Sequence, residues 1–260
     1  MIFFFSGSGN SETVAGMLAG ELCSDVVNIS SAVSLGQLRY DARGETVGFV
    51  VPVYFRGLPR MVESFCDAVE IRNPGFTFAV FTCSGDSGKA GEDIGKLLGD
   101  RLPIDAFYDL VMPDSAPFIK SKGPEGTNGS DTEISRMMQG ISEKRKGDFR
   151  QSASSGSDRA DRERYLELSD TSNFSVTDMC VGCKMCGYYC PEHIIRFFSP
   201  RPAWDEPSCS LCMRCVNICP RKAIHFGGSD NGERYLSDLW KKETHDYMIW
   251  RLHQKIPPLR

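Results

Sequence analysis

The sequence predicts an α/β domain built on a doubly wound parallel sheet, followed by a small α+β domain. Apolar runs alternate with amphipathic segments over about the first 110 of the 260 residues. Two of these runs, 47–53 and 76–82, are almost continuously apolar, as is typical of parallel strands covered on both faces. Eight of the eleven cysteines lie between residues 180 and 219, in a spacing that repeats and marks a separate domain.

Five strands are expected, each about as long as one apolar run. They are predicted at residues 2–5, 25–29, 47–53, 76–82 and 107–112. Between them, apolar residues recur at helical spacing over 14–22 and 61–69, and a further helix is predicted at about 132–149. Alternation of strands and helices favours a sheet with helices on both faces. In such sheets, ligands bind at the carboxyl ends of strands near the topological switch point.

Composition excludes several classes of function. Hydrophobic residues make up 41% and charged residues 25%, and the net charge of −4 gives no reason to expect nucleic acid or an anionic membrane as partner. No apolar run approaches the roughly 18–20 residues that span a bilayer. The N-terminal MIFFF lacks the basic region of a secretion signal. We expect a cytoplasmic protein.

The cysteines form two copies of one motif, C-x2-C-x2-C-x3-C-P. The first copy reads CVGCKMCGYYCP and the second CSLCMRCVNICP, displaced by 29 residues. Their cysteines are Cys180, Cys183, Cys186 and Cys190, and Cys209, Cys212, Cys215 and Cys219. Ile195 and Phe197 recur at the same displacement as Ile224 and Phe226. The repeat predicts a small domain with approximate two-fold symmetry.

This spacing suits a cubane iron–sulfur cluster. Three cysteines two residues apart wrap a tight loop around one face of the cluster, with backbone N–H groups directed at the sulfurs. The fourth cysteine begins a segment that leads away, and proline is tolerated there because a first-turn residue needs no N–H. Structural zinc usually has two more widely separated C-x2-C pairs, and disulfides do not easily join cysteines so close together.

Residues 173–228 resemble the two-cluster bacterial ferredoxins, also through PAW at 202–204 and CPRKAIHFG at 219–227. The resemblance implies two [4Fe-4S] clusters with crossed ligands. It assigns Cys180, Cys183, Cys186 and Cys219 to one cluster and Cys209, Cys212, Cys215 and Cys190 to the other. His193 and His225 are then expected to be packing or surface residues, because the ligand count is complete.

The stretch SGSGNS, residues 6–11, follows the first strand and precedes the first helix. Glycines there allow close backbone approach, so that successive N–H groups can bind a phosphate at the helix N-terminus. A dinucleotide fingerprint fails because Glu12 stands where a third glycine is needed, and no P-loop spacing is present. The stretch resembles the phosphate loop of flavodoxins, Ser/Thr-x-Ser/Thr-Gly-Asn-Ser/Thr, which implies bound FMN and a strand order of 2-1-3-4-5. The matching residues are Ser6, Ser8, Gly9, Asn10 and Ser11.

Two further loops correspond to those that hold the isoalloxazine ring in flavodoxins. The first carries two aromatic side chains able to stack on a flat ring, and the second offers small residues. They comprise Tyr54, Phe55, Arg56 and Gly57, and Cys83, Ser84, Gly85 and Asp86. The alternative for Tyr54 and Phe55 is core packing. Cys83 is alternatively a small buried residue, and Asp86 either a proton donor or, as we favour, a loop residue.

The expected organisation is therefore an FMN-binding domain at 1–150, a linker at 151–172, the two-cluster domain at 173–228 and a tail at 229–260. The linker is predicted to be a flexible tether or a short exposed helix. A polar loop is predicted at 114–131. The tail is expected to form an amphipathic helix that docks on the protein itself, with docking on a partner as the alternative.

The whole chain resembles the fused flavodoxin–ferredoxin proteins of anaerobes, the EFR-type ferredoxins. This resemblance implies electron transfer between redox partner proteins and fixes no substrate. Two alternatives remain: a flavin-dependent reductase of a small-molecule acceptor, and a redox or oxygen sensor. No group of residues is typical of acid–base or nucleophilic catalysis, so we assign no catalytic residue.

Overall fold

A computed structural model of the chain describes residues 1–112, 131–151, 158–198 and 200–227. Residues 114–130 of the predicted loop and the whole tail 229–260 lie outside the described residues. The described residues divide into two compact units, one made mainly of residues up to Leu166 and the other mainly of residues from Glu167 onward.

The first unit is built on a six-stranded sheet in which every pairing is parallel. The unit's strands are β1 (Ile2–Phe4), β2 (Val26–Asn28), β3 (Arg39–Asp41), β4 (Val47–Pro52), β5 (Glu70–Arg72), β6 (Thr77–Cys83), β7 (Ala106–Val111) and β8 (Gly147–Asp148). Their order in the large sheet is β2-β1-β4-β6-β7-β8, and β3 and β5 form a separate parallel pair. The predicted parallel sheet is confirmed, and all five predicted strands belong to it.

Helices connect these strands in alternation. They are α1 (Asn10–Leu22), α2 (Ile29–Ser34), α3 (Arg60–Ala68), α4 (Ala90–Leu98), α5 (Asp131–Ser142) and α6 (Asp158–Leu168). The helices predicted at 14–22 and 61–69 correspond to α1 and α3. Each crossover therefore returns the chain to the same edge of the sheet, and the carboxyl ends of β1, β4 and β6 open into the loops with predicted function.

The two central strands explain the apolar runs seen in the sequence. Every residue of β4 and β6 is buried, because helices cover both faces of the sheet. Gly48 in β4 lies against the Phe78 ring of the neighbouring strand so closely that a Cβ atom at this position would clash with the ring. Phe3 stacks on Phe49 with ring centroids 5.5 Å apart. A continuous aromatic and aliphatic core thus fixes the strand ends.

The structure departs from the predicted helix at 132–149. α5 ends at Ser142, Lys144 takes a left-handed conformation with φ of 53°, and Gly147 begins β8 beside Ala106 of β7. The N–H groups of Lys144 and Arg145 donate to the carbonyls of Ile141 and Gly140, a Schellman-type end to the helix, and pairing with the sheet edge takes over. The last part of the segment is therefore a strand.

The predicted linker 151–172 contains α6. Its outer face matches the expected exposed helix, with an Arg159–Glu163 ion pair of 2.8 Å one turn apart. Tyr165 on the same helix is only 1% exposed. Neither a flexible tether nor a fully solvated helix would bury this side chain. The helix is anchored on the first unit by this side chain, through contacts described below.

The second unit repeats one strand–loop–helix–strand arrangement. It consists of β9 (Phe174–Val176), α7 (Met185–Tyr188), β10 (Ile195–Phe197), β11 (Pro202–Trp204), α8 (Arg214–Ile218) and β12 (Ile224–Phe226). β9 pairs antiparallel with β12, and β10 with β11. The starts of α7 and α8, and of β10 and β12, are each displaced by 29 residues, as the sequence repeat is. The repeated sequence thus folds as a repeated structure.

Candidate cofactor sites

Both cysteine loops have the same backbone conformation. Lys184 and Met213 occupy equivalent positions immediately before α7 and α8, and both are left-handed, with φ of 64° and 54°. Gly182 and Leu211 are likewise equivalent and left-handed, with φ of 67° and 53°. Such a conformation costs a non-glycine residue roughly 1–2 kcal/mol, so the loop must be held by its surroundings. The tight turns bring cysteines two residues apart around a common space.

The structure gathers the eight predicted ligands around two cavities. The first cysteine cavity is lined by Cys180, Cys183, Cys186 and Cys219. The second cysteine cavity is lined by Cys190, Cys209, Cys212 and Cys215. Each cavity therefore takes three cysteines from one repeat and the fourth cysteine from the other. These are the two ligand sets that the ferredoxin resemblance implies.

The donor chemistry of the cavities fits a cluster better than a single ion. In the described parts of the chain, no three Cys, His or carboxylate side chains converge as ligands of one metal ion. Four thiols surrounding one space are the donor set of an iron–sulfur cubane. All eight thiols are free of disulfides. The residues present therefore fit two [4Fe-4S] clusters.

Burial controls the ionisation of these thiols. It raises the pKa of Cys186 to about 12, with neighbouring Cys183 and Cys219 adding to the effect. It also raises the pKa of Cys212 to about 12, against a lowering by the Arg214 charge. Burial therefore favours the protonated form of Cys186 and Cys212 until a metal binds, since a coordinated thiol loses its proton.

Backbone N–H groups donate to sulfurs in both cavities. The N–H of Ala223 donates to Cys219 Sγ in the first cysteine cavity, and the N–H of Leu211 donates to Cys209 Sγ in the second, both at 3.3 Å. Hydrogen bonds of this kind stabilise the negative charge of a bound cluster. His193 is exposed and His225 half-buried, and neither lines a cavity, in keeping with their expected packing or surface role.

The predicted phosphate loop lies between β1 and α1. Ser6, Ser8, Asn10 and Ser11 are all buried, with exposed fractions of 8% or less. Gly9 has φ of 99°, a conformation that favours glycine and turns the chain into the helix. α1 begins at Asn10, so the first N–H groups of the helix lie within the loop. Buried hydroxyls and helix N–H groups are thus brought together at the position where the sequence predicts a phosphate.

The aromatic loop after β4 closes tightly on itself. Tyr54 and Gly57 exchange two backbone hydrogen bonds, of 2.9 and 3.0 Å. Between them, Phe55 and Arg56 are both left-handed, with φ of 48° and 60°. Two consecutive non-glycine residues in this region store strain, which persists only where other contacts fix the backbone. Nothing in the local sequence indicates this strain.

Contacts with the loop after β6 fix that conformation. Arg56 Nη1 lies 3.0 Å from the Asp86 carboxylate, and the Arg56 carbonyl accepts a 2.8 Å hydrogen bond from the N–H of Lys89. Gly88, with φ of 52°, lies so close to the Arg56 carbonyl that a Cβ atom would clash with it. Asp86 also accepts from the N–H of Gly88 at 3.0 Å. Asp86 therefore connects the aromatic loop to the loop after β6.

The phosphate loop is joined to the end of β6 through a pair of buried hydroxyl groups. Ser11 Oγ and Thr82 Oγ1 are 2.8 Å apart. Thus hydrogen bonds connect the phosphate loop to the end of β6, and the loop after β6 to the aromatic loop.

Cys83 is buried, which raises the pKa of its thiol to about 12, and its Sγ–H donates to the Gly85 carbonyl. Ser84 and Gly85 are exposed.

α6 supports the aromatic loop from the other side. Tyr165 accepts a 3.0 Å hydrogen bond from the N–H of Arg60, and its ring lies 6.0 Å from that of Phe55. Arg56 also approaches Asp161 at 3.5 Å. Tyr165 was not predicted as a site residue from the sequence. The one signal that could have indicated it is an aromatic residue within an otherwise highly charged helical segment.

A cavity of about 350 Å³ lies beside this loop, between α3, α4 and α6. Tyr54, Phe55 and Tyr165 form its aromatic wall, and Asp93 lies within it. Burial raises the pKa of the Asp93 carboxyl, and Glu63 and Glu92 add to this effect. The cavity is bounded by the aromatic loop rather than by the phosphate loop.

Comparison with known proteins identifies the chemistry of the cysteine region. Residues 202–225 match the family described as "4Fe-4S binding domain". The match contains the second cysteine run. The C-terminal part of the chain therefore carries a ferredoxin-type 4Fe-4S domain.

Curated relatives resemble parts of this chain. One stretch of 47 residues is 44% identical to a protein of the ion-translocating oxidoreductase complex of Methanosarcina acetivorans, covering 18% of each chain. A stretch of 69 residues is 26% identical to the ferredoxin-like protein in nif region of Trichormus variabilis, covering 26% of this chain and 60% of the relative. Another of 64 residues is 31% identical to the thiosulfate reductase electron transfer subunit PhsB of Salmonella typhi, covering 21% and 32%. The chain spans less than two thirds of each relative. Among the described residues, no helix has both the length and the apolar character to cross a membrane.

Proposed function

We propose that this chain transfers electrons between two [4Fe-4S] clusters and one bound FMN, and relays them between redox partners in an anaerobic cytoplasm. The observation that carries the proposal is the pair of four-thiol cavities, each completed by a cysteine from the other repeat. The relatives named as electron transfer, ferredoxin-like and oxidoreductase proteins support the same role.

The flavin half of the proposal is supported by the strand order and by the loops. With β8 at one edge and the separate β3–β5 pair left out, β2-β1-β4-β6-β7 follows the 2-1-3-4-5 order of flavodoxin-like sheets. The three candidate loops all follow carboxyl ends of central strands and are hydrogen-bonded to one another. Ser6, Ser8, Asn10 and Ser11 would bind the phosphate, and Tyr54 or Phe55 would contact the ring.

The two kinds of cofactor supply different chemistry: a cubane exchanges one electron at a time, whereas a flavin accepts one or two. The residues of the chain would hold and orient these groups. The thiols and the N–H groups of Leu211 and Ala223 would stabilise cluster charge. The fixed aromatic loop would orient the ring without reorganisation. Carrying both groups on one chain makes the transfer intramolecular, at an effective concentration of order mM.

Anaerobic purification tests this function directly. We expect about eight iron and eight sulfide ions per chain and release of one FMN on heating. Rapid mixing with a one-electron donor should reduce the clusters, and the flavin absorbance should then bleach within the same molecule. Bound zinc without sulfide, or a chain that carries no flavin after reconstitution with FMN, would refute the proposal.

A second candidate is a flavin-dependent reductase of a small-molecule acceptor. The observation that favours it is the 350 Å³ cavity beside the aromatic loop, lined by the half-buried carboxyl of Asp93, whose raised pKa suits proton delivery. Steady-state reduction of quinones, nitroaromatics or enoates by the reduced protein would support it. In that case, Asp93→Asn should lower turnover while leaving FMN content unchanged.

A further inference from the structure

The two cysteine cavities are equivalent in backbone but differ in charge. Shifting the first repeat by 29 residues superimposes Lys184 on Met213 and Glu192 on Arg221. Lys184 and Arg221 both line the first cysteine cavity, whereas Met213 and Glu192 both line the second. The exchange of ligands between repeats thus places both cations at one cavity and the carboxylate at the other.

Lys184 and Glu192 are held in place. Lys184 is half-buried, and its ammonium group lies 5.5 Å from the centre of the Phe197 ring, over its face. Glu192 is also half-buried, and both its oxygens accept from the N–H of Ser210 at 3.1 Å, with the Ser210 hydroxyl as a further donor. Because neither charge is fully solvated, water and salt screen them less than they screen Arg221, which is exposed.

One further cation acts on the second cavity. Arg214 begins α8 two residues after the predicted ligand Cys212, is 7% exposed, and donates to the Tyr189 carbonyl at 3.2 Å. Arg214 therefore offsets Glu192, which leaves the second cavity near neutrality. The first cavity keeps two positive charges. Backbone N–H groups donate to sulfurs in both cavities, for example from Ala223 to Cys219 Sγ in the first and from Leu211 to Cys209 Sγ in the second, both at 3.3 Å. The difference in charge between the cavities is therefore that of their charged side chains.

We infer that the chain holds its two clusters at unequal reduction potentials, with the higher potential in the first cysteine cavity. This inference rests on the proposed two-cluster function. Reduction adds one negative charge to a cluster, and nearby cations stabilise that charge whereas a carboxylate opposes it. An electron entering the domain therefore settles in the first cysteine cavity, and the second serves as the relay. Lys184 and Glu192 are the residues that set this difference.

Single-cluster variants give the most direct test. Cys212→Ala leaves only the first cavity complete, and Cys183→Ala, its equivalent, leaves only the second. Each is titrated anaerobically with dithionite and followed by electron paramagnetic resonance. We expect the remaining cluster of the Cys212→Ala protein to have a reduction potential at least about 59 mV higher than that of the Cys183→Ala protein. For one electron this corresponds to a tenfold preference. Equal potentials, or the reverse order, would overturn the inference.

Charge variants test the cause in the full chain, and they decide the matter if the single-cluster variants lose iron. Lys184→Met copies Met213 and should lower the potential of the first cluster. Glu192→Gln keeps an acceptor for Ser210 and should raise the potential of the second. Each variant should reduce the gap, meaning the difference between the reduction potentials of the two clusters, and the double variant should reduce it further. Glu206→Gln, at an exposed position that lines neither cavity, serves as the matched control and should leave the gap unchanged.

Iron and sulfide analysis separates the two possible failures. A protein with about eight iron and eight sulfide ions and a gap insensitive to Lys184→Met and Glu192→Gln would disprove the charge asymmetry alone. A protein without sulfide would disprove the cluster assignment, and the inference with it.

Discussion

The cysteine region and the three loops of the parallel sheet are built on opposite principles. In the cysteine region, side chains are the ligands, and the backbone only turns tightly enough to present them. In the loops, the backbone itself would contact the ligand, and side chains such as Asp86 and Tyr165 hold its conformation. A site of the first kind should fail at once when a ligand is lost. A site of the second kind should weaken by degrees as its supports are removed.

Loss of a cysteine ligand should have the largest effect. Cys183→Ala removes one of four thiols from the first cysteine cavity, and a buried cubane with an open iron site is labile. We expect about half the iron and sulfide to be lost, with unchanged flavin content. Metal analysis and visible absorbance measure both quantities. Cys23→Ala, at an exposed cysteine outside both cavities, is the control and should retain all the iron.

The strained aromatic loop offers a graded test of the other region. Gly88→Ala forces a side chain into a left-handed position against the Arg56 carbonyl. We expect FMN binding to weaken at least tenfold, or about 1.4 kcal/mol, because the aromatic loop must shift. Fluorescence titration of the flavin-free protein with FMN measures the affinity. Gly85→Ala adds the same methyl group where nothing lies within 4 Å, so equal losses in both variants would contradict the argument.

A smaller loss is expected when the outer support is removed. Tyr165→Phe deletes the acceptor for the N–H of Arg60 but keeps the ring beside Phe55. A buried hydrogen bond of this kind contributes roughly 1 kcal/mol, and more where its donor stays unsatisfied. The free energy of unfolding in urea, followed through a signal from the first unit, should fall by about that amount. Tyr188→Phe, at a side chain 66% exposed, should change little.

Acidification should produce the smallest effect. Arg150 bonds both Asp148 and Glu92 and holds the pKa of each carboxyl below its ordinary value. A carboxyl with a lowered pKa stabilises the fold above its unfolded pKa, and this contribution disappears as the pH falls below about 4. Arg150→Gln should therefore destabilise the protein at pH 7 and much less at pH 3.5. Because the carboxylates are partly solvated, we expect less than about 1 kcal/mol. A difference between wild type and variant that does not change with pH would exclude these ion pairs as the cause.

Cluster ligands are the part of the site that sequence predicts most completely. Spacing alone places Cys180, Cys183 and Cys186 on one turn, because two-residue gaps leave the chain few alternatives. The crossing of Cys190 and Cys219 follows from the resemblance to ferredoxins, and both line the expected cavities. The charge difference between Lys184 and Met213 was also readable from the repeat, but its meaning needed the cavities.

The loops were predictable in position and not in conformation. Apolar runs located the strand ends, and hence Ser6–Ser11 and Tyr54–Gly57. The left-handed Phe55 and Arg56 depend on Asp86 and Tyr165, and the Arg60–Tyr165 hydrogen bond spans 105 residues of chain. No local pattern contains such contacts. The strand at Gly147 escaped prediction for the same reason, since only the neighbouring β7 makes it a strand.

An anaerobic redox titration that follows clusters and flavin together tests the central claim most directly. We expect about eight iron and eight sulfide ions and one FMN per chain. Electrons delivered to the clusters should redistribute to the flavin according to the measured potentials. Clusters that stay reduced beside an oxidised flavin of higher potential, or a preparation that contains neither sulfide nor flavin, would contradict the account.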